Sequence, residues 1–246
     1  MAQNRAPSFT IPSMPRALAI ETSGQIGSIA LADGGRVIAA ETFPHGLRHA
    51  AEIIPLIERQ LRAHGLTVAD LEHLYVSAGP GSFTGLRIGI TVAKTLAFAT
   101  GIKIVAVPTV RVLALNAPAE ARHLIIVLDA KREQIFTARF ERADGDWIER
   151  EPAHLDSLAA MIGRSPRPVH LLGEGIKFHE KFIPQSGDVI VTAPGLWQAR
   201  AEAVVALGTI LAAEEKFADP FTLTPLYIRR PEAEEKFEQH RSSQSP

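Results

Sequence analysis

The run Ser77-Ala78-Gly79-Pro80-Gly81-Ser82-Phe83-Thr84-Gly85-Leu86-Arg87-Ile88-Gly89 brings glycines and hydroxyls to a place where the sequence turns from strand to helix. Free backbone N–H groups at such a junction can hold an anion. Two familiar phosphate loops do not fit. A Walker loop needs four residues between its glycines followed by Lys and Ser or Thr, whereas Gly81 and Gly85 enclose three and Leu86 follows. A dinucleotide loop starting at Gly79 needs glycine at position 84, which holds Thr84. Two readings stay open: a tight turn with Ser82 or Thr84 capping the helix, or a site for an anion or a partner. Glu21-Thr22-Ser23-Gly24 is the second such group, an acid with two hydroxyls able to meet a phosphate or a magnesium-bound water.

Other chemistry is weaker. His45 and His49 have the i, i+4 spacing of a helical metal pair, but Pro44 and Gly46 put His45 ahead of the helix and no Glu accompanies them, which favours a solvated or capping role. Ser77 and Ser82 lack the G-x-S-x-G elbow of a hydrolytic nucleophile. With no cysteine there is no disulfide, thiolate zinc site or cysteine nucleophile, in keeping with a reducing compartment. Twenty-six basic against 27 acidic residues leave a net charge of −1, without the footprint of a stand-alone nucleic-acid binder. Aromatic usage of 6% argues against a stacking platform.

The elements that must position these groups are legible in a chain of 246 residues, 46% apolar and 22% charged, which is ordinary globular composition. Arg16 to Glu21, Gly27 to Ala32 and Arg36 to Thr42 read as three antiparallel strands separated by Ser-Gly and Asp-Gly-Gly. A helix is expected from Arg48 to His64, bent at Pro55, then a strand over His73 to Ala78 and a helix over Thr84 to Thr100. A strand over Lys103 to Val107 and a short helix over Thr109 to Asn116 follow. The order then repeats: strands near 123–129, 134–140 and 146–149, a helix near 155–162, a strand at 169–172, a helix at 176–182, a strand at 188–192 and a long helix over 197–217.

Two successive βββαβαβα units predict a pseudo-duplicated α/β fold with an N-terminal lobe over 16–117 and a C-terminal lobe over 118–230. Residues 1–15 read as a loose extension without a secretory pattern, and 231–246 as a polar tail. The topology is that of actin, Hsp70 chaperones and sugar kinases (ASKHA). A single continuous sheet is the alternative. The apolar stretch Ile88 to Val107 is broken by Lys94, Gly101 and Lys103, so no membrane span is expected and a cytoplasmic chain is.

The helix after the glycine run carries small residues Gly85, Gly89, Ala93 and Ala97 every fourth position, beside Leu86, Ile90, Val92 and Leu96. So apolar a helix should be covered on more than one side, by its own sheet and by another helix of this or a second chain. On the preceding helix, Ala50, Ile54, Ile57 and Leu61 read as a core stripe, while His49, Ile53, Leu56 and Gln60 form a second, half-apolar face.

In kinases and chaperones of this fold, nucleotide is gripped by an acid after the first strand, a glycine- and hydroxyl-bearing turn opening the second lobe, and a Gly-Gly turn near the adenine. Here the second turn is Asp129-Ala130-Lys131-Arg132 and the third Gly173-Glu174-Gly175, an incomplete grip.

ALAIETSGQIGSIAL, SAGPGSFTGLRIG with the following AKTLAFA, DAKREQIF and the late PLYIRRPEAE together resemble the TsaB (YeaZ) family over about Arg16 to Glu235. The resemblance implies an accessory subunit, not the catalyst, that pairs with the catalytic paralogue TsaD and the ATPase TsaE to install threonylcarbamoyladenosine in tRNA. It implies no catalytic residue, metal or cofactor of its own, ATP or ADP only at a composite site of the complex, tRNA met through the complex, and a homodimer when alone. It further implies a helical-bundle interface with TsaD built from the first two helices, with His49, Ile53, Leu56, Gln60, Arg87, Ile90, Lys94 and Phe98 at or near the contact. The catalytic paralogue carries a His-x-x-x-His metal pair where this chain reads Val107 to Leu115, with neither imidazole nor carboxylate. Glu21 stands where many members carry Asp. A kinase of the same fold and an M22-type hydrolase are the alternatives from other classes; the first needs the missing phosphate turn, the second a base or metal.

Overall fold

The computed structural model describes residues 15–43 and 49–228, of residues 49 and 50 the backbone only. The expected terminal segments 1–14 and 231–246, and His45 with the side chain of His49, lie outside the described residues.

Ala17–Glu21 (β1), Gly27–Asp33 (β2) and Arg36–Phe43 (β3) form an antiparallel meander, and His73–Gly79 (β4) and Lys103–Pro108 (β5) add in parallel, giving the order β3-β2-β1-β4-β5. The turn between β2 and β3 places Gly34 and Gly35 at φ 63° and 78°, the left-handed pair that a tight hairpin demands. His123–Asp129 (β6), Ile135–Ala143 (β7), Asp146–Asp156 (β8), Val169–Leu172 (β9) and Val189–Val191 (β10) form a second sheet in the order β8-β7-β6-β9-β10. Strand for strand this repeats the first sheet, so the two are separate and duplicated, not one continuous sheet.

β1 and β6 are the central strands, buried on both faces. Alternation then sorts their side chains. Leu18, Ile20, Ile29, Leu31, Leu74 and Val76 meet Ile53, Leu56, Ile57 and Leu61 of α1 (His49–Ala63) and Ile90, Val92, Ala93 and Ala97 of α2 (Phe83–Thr100). Ala17, Ala19, Ala30 and Ala32 point the other way, into a core shared by both sheets. That core is filled by α3 (Thr109–Ala114) and α6 (Ala201–Ala213) together with Leu124, Ile126, Leu128, Ala138 and Phe140 of the second sheet. The alanines let α6 lie close on the first sheet: a Cβ at Gly208 would stand 2.3 Å from the Tyr75 ring. The outer face of the second sheet packs Ile125, Val127 and Ile135 on Leu158, Met161 and Ile162 of α4 (Leu158–Arg164), with Ile176 of the short helix α5 (Ile176–His179).

Several elements differ from the sequence expectation. β8 continues to Asp156, and α4 begins only after Ser157, whose hydroxyl accepts the Ala160 N–H at 3.3 Å as an N-cap. α6 begins at Ala201, because Trp197 turns its indole N–H to the Thr192 carbonyl (3.0 Å) and stays outside the helix. α1 runs on through Pro55, whose ring is on the exposed side.

Candidate functional site

The Glu21 turn and the Gly79–Gly85 loop, far apart in sequence, are one structure. Glu21 is fully buried and turned inward: its Oε1 accepts the Ser23 N–H and hydroxyl, both at 2.5 Å, and its Oε2 the Ser77 hydroxyl. Burial pushes the Glu21 carboxyl above its ordinary range, the serine hydrogen bonds oppose this, and the charge of Glu174 adds to it. The Ser23 carbonyl accepts the Ser82 N–H at 2.7 Å. Ser82 caps α2, accepting from the Gly85 N–H at 3.3 Å. The glycines are needed for this fit. A Cβ at Gly81 would lie 2.5 Å from the Ser23 oxygen, at Gly85 1.9 Å from the Thr22 oxygen and at Gly89 2.4 Å from Thr22 Oγ1. The backbone admitted by the small-residue stripe is thus the chain's own first turn, not that of a second chain. Gly79 takes φ 107° and leads into the buried Pro80.

Across from this loop stand the turns after β6 and β9. Together they enclose a cleft of about 370 Å³ lined by Ser23, Gly24, Gly81, Ser82, Asp129, Lys131, Glu174 and Phe178, among others. All three turns that the sequence singled out therefore converge. Of the nine loop residues singled out, Ser23, Gly81 and Ser82 line the cleft; Glu21, Thr22, Gly79, Pro80 and Gly85 lie buried behind it, and Thr84 is exposed on α2. Phe83, Phe136 and Phe178 also line it and were not anticipated, since an isolated Phe reads as core.

The electrostatics of the cleft are acidic. Glu174 reaches over from the second sheet's side and its Oε2 accepts the Gln25 N–H at 2.9 Å, bridging the two lobes. Asp129 accepts from Lys131 Nζ at 2.8 Å and from its N–H at 3.1 Å, and pairs with the buried His179 Nε2 at 3.2 Å. Burial alone would raise the Asp129 carboxyl, but the Lys131 and His179 hydrogen bonds outweigh it and hold it below its usual range. The turn itself is tightly wound, with Lys131, Arg132 and Glu133 all left-handed at φ 63°, 52° and 59°. Among the described residues no group of three or more His, Asp or Glu is arranged to hold a metal ion. Val107 to Leu115, where the catalytic paralogue keeps its histidines, forms the end of β5 and α3, with Val110, Val112 and Leu113 in the shared core.

The helix faces proposed from sequence need correction. Ile53, Leu56 and Ile90 are 0%, 4% and 4% exposed within this chain, in the core between α1, α2 and the first sheet, and have no surface to offer a partner. Ile54, read as core, is instead 44% exposed. Gln60 turns to Glu41, to which Arg59 also bonds. Arg87, Lys94 and Phe98 do lie on the outer side of α2, where they meet residues 219–227 of the same chain: Lys94 Nζ donates to the Leu223 carbonyl (3.2 Å), Arg87 Nε to the Tyr227 hydroxyl (2.9 Å), and Phe98 meets the Phe221 ring edge-on at 4.8 Å.

Two sheets of one strand order, joined through a common helical core and facing each other across a cleft at their central turns, define the ASKHA class of duplicated α/β proteins. A family model described as TsaD: tRNA N6-adenosine threonylcarbamoyltransferase matches residues 46–237. The tRNA threonylcarbamoyladenosine biosynthesis protein TsaB of Bacillus subtilis is 32% identical over 228 residues, 89% of this chain and 96% of that one. The protein of the same name from Escherichia coli is 30% identical over 188 residues, 75% of this chain and 73% of its own length. Among solved structures, YeaZ from Pseudomonas aeruginosa superposes with a TM-score of 0.74 at 24% identity, covering 87% of this chain and 100% of that one. The chain belongs to the TsaB (YeaZ) family, and is a TsaB homologue of tRNA threonylcarbamoyladenosine biosynthesis.

Proposed function

We propose that this chain is a non-catalytic, activating scaffold subunit of the complex that forms threonylcarbamoyladenosine in tRNA, and that it binds and supports the catalytic paralogue TsaD. One observation carries the reading. In a fold whose kinases grip nucleotide between the lobes, this chain fills the grip with its own carboxylates. Glu174 bridges the cleft to the Gln25 N–H, and the cation beside it, Lys131, is held by Asp129. A polyphosphate entering there meets the Glu174 carboxylate across the opening and a lysine already paired with Asp129. Glu21, the acid after the first strand, is withdrawn onto Ser23 and Ser77.

The ATPase TsaE and the tRNA are then reached through the complex, with ATP or ADP held at a composite site. Self-association when alone and a cytoplasmic setting complete the reading; no helix among the described residues is long and apolar enough to cross a membrane.

Light scattering of the chain with TsaD from the same organism, followed by a threonylcarbamoylation assay with and without the chain, tests this. A stable heteromer and activity that requires both are expected. ATP hydrolysis by the chain alone, with no complex, overturns the reading.

A further inference from the structure

A second cavity lies apart from the inter-lobe cleft, where the β7–β8 hairpin meets α3 and α6. Its volume is about 340 Å³. Phe140 of β7, 1% exposed, forms its floor, and Leu115 and Ile210, 46% and 56% exposed, stand at its rim. Trp147 of β8 is a wall that does not swing freely. Arg142 is its partner across the hairpin and holds a guanidinium 4.4 Å from the ring centre, while Arg142 Nη1 donates to the Ala119 carbonyl at 2.8 Å.

Two opposite charges line this apolar cavity, Arg111 from α3 and Asp146 from β8, and neither is used. Among the described residues neither makes a hydrogen bond or an ion pair, with each other or with any other group. The acid whose charge Arg111 feels, Glu214 just after α6, is already bound to Lys216 Nζ at 2.6 Å. Neighbouring charges on the same hairpin behave otherwise: Arg122 and Arg150 both pair with Glu141, and Arg139 with Glu151.

We propose that this cavity binds a small zwitterion with an apolar body, the class of the free aromatic and branched aliphatic amino acids, with its carboxylate on Arg111 and its ammonium toward Asp146. Small-molecule sites run from about 300 to 1,000 Å³ and are mostly apolar with a few placed polar groups. This one is at the small end, with room for one amino acid. A guanidinium takes a carboxylate through two parallel hydrogen bonds, which fixes the ligand's direction. A plain anion would leave its charge beside the unanswered Asp146, and a plain cation beside Arg111; a zwitterion answers both. Its side chain then covers Phe140, Leu115 and Ile210, apolar surface whose removal from water favours binding. The site makes no use of the scaffold function, and a ligand in it would tie the second sheet's hairpin to the helices of the shared core.

Trp147 reports on its own site. The chain has two tryptophans, and the other, Trp197, lies outside the cavity with its indole N–H on Thr192. Titration of the full chain with each free apolar and aromatic amino acid, read by tryptophan fluorescence and by calorimetry, is expected to saturate for at least one of them with a dissociation constant below about 1 mM. Analogues with one charge, such as 3-phenylpropanoate and 2-phenylethylamine for phenylalanine, bind roughly tenfold more weakly. Arg111→Gln and Asp146→Asn melt as wild type without ligand and each weaken binding roughly tenfold. Arg36→Gln, which removes an exposed arginine of β3 outside the cavity, binds as wild type. Saturation by none of the amino acids below about 10 mM overturns the inference. So does a singly charged analogue that binds as well as the amino acid, or wild-type affinity in both cavity variants. Self-association that Ile210→Asp abolishes, with no amino acid bound, gives the cavity to a second copy and overturns it too.

Discussion

The carbonyl oxygen of Thr22 lies 1.9 Å from the point where a Cβ at position 85 would stand. The first turn of the fold is thereby seated on the first turn of α2, and the cleft wall depends on that contact. Glycine to alanine inside a helix normally gains about 1 kcal/mol. At position 85 a backbone oxygen has to move, so Gly85→Ala is expected to lose about 1–3 kcal/mol. Gly163, in α4 with open space around it, is the control, and there alanine is expected to gain. Urea unfolding of both variants measures the difference; a stabilised Gly85→Ala protein would show that the turn and the helix are not in contact.

Glu21 gives the stability a pH dependence of known sign. Its carboxyl is raised in the folded chain above the ordinary 4.5, chiefly by burial. Its contribution is therefore fully present below that ordinary value and is lost as pH rises through the folded value. Glu21→Gln has no proton to lose, and its carboxamide can accept from Ser23 and donate to Ser77. The stability of Glu21→Gln relative to wild type is expected to rise between pH 4 and pH 8, measured by denaturant unfolding at several pH values. A difference flat with pH would mean that the carboxylate is not buried. Glu21→Ala instead leaves the Ser23 and Ser77 donors buried without partners and costs about 1–3 kcal/mol for each such group.

The hydrogen bond from the Gln25 N–H to Glu174 joins the lobes across 149 residues of sequence. Its partners are solvent-accessible, so Glu174→Ala should change global stability by less than about 1 kcal/mol. Local opening is another matter. Hydrogen exchange at the Gln25 amide is expected to speed up in the variant while the β1 and β6 amides keep their protection. Unchanged exchange at Gln25 would show that the bridge is not populated.

Much of this architecture could be read from residue order. Both meanders, the paired-glycine turn at Gly34 and Gly35 and the duplicated series follow from period-two and period-four patterns, because each central strand is buried on both faces and each hairpin needs left-handed residues. The phase of α1 could not be read. Ile53 and Ile54 are both apolar, so two stripes one residue apart fit equally well, and only packing against β1 and β2 selects Ile53, Leu56, Ile57 and Leu61. The Glu174 bridge and the strap that residues 219–227 lay across α2 were hidden for a related reason: both depend on contacts between residues more than a hundred positions apart, and an extended segment such as Pro225 to Tyr227 carries no periodicity to show which surface it covers.

Leu223 is the point at which that strap is fixed. It is 9% exposed and packs with Val92, Ile102 and Ile104 in the core of the first sheet, with Pro225 also buried and Thr222 and Thr224 open to solvent. Truncating a buried leucine costs about 2–5 kcal/mol when the loss is felt globally. Here the segment follows α6 and holds α2 by few bonds, so Leu223→Ala is expected to detach the strap and leave the two sheets folded. Chymotrypsin should then cut at Phe221 or Tyr227 at least roughly tenfold faster than in the wild type, with the main unfolding transition little changed. Cleavage at the wild-type rate would mean that Lys94, Arg87 and the Leu226 N–H to Ala78 bond hold the strap without its anchor. A drop in the main transition matching the full cost of a core leucine would make the strap an integral part of the first sheet's core.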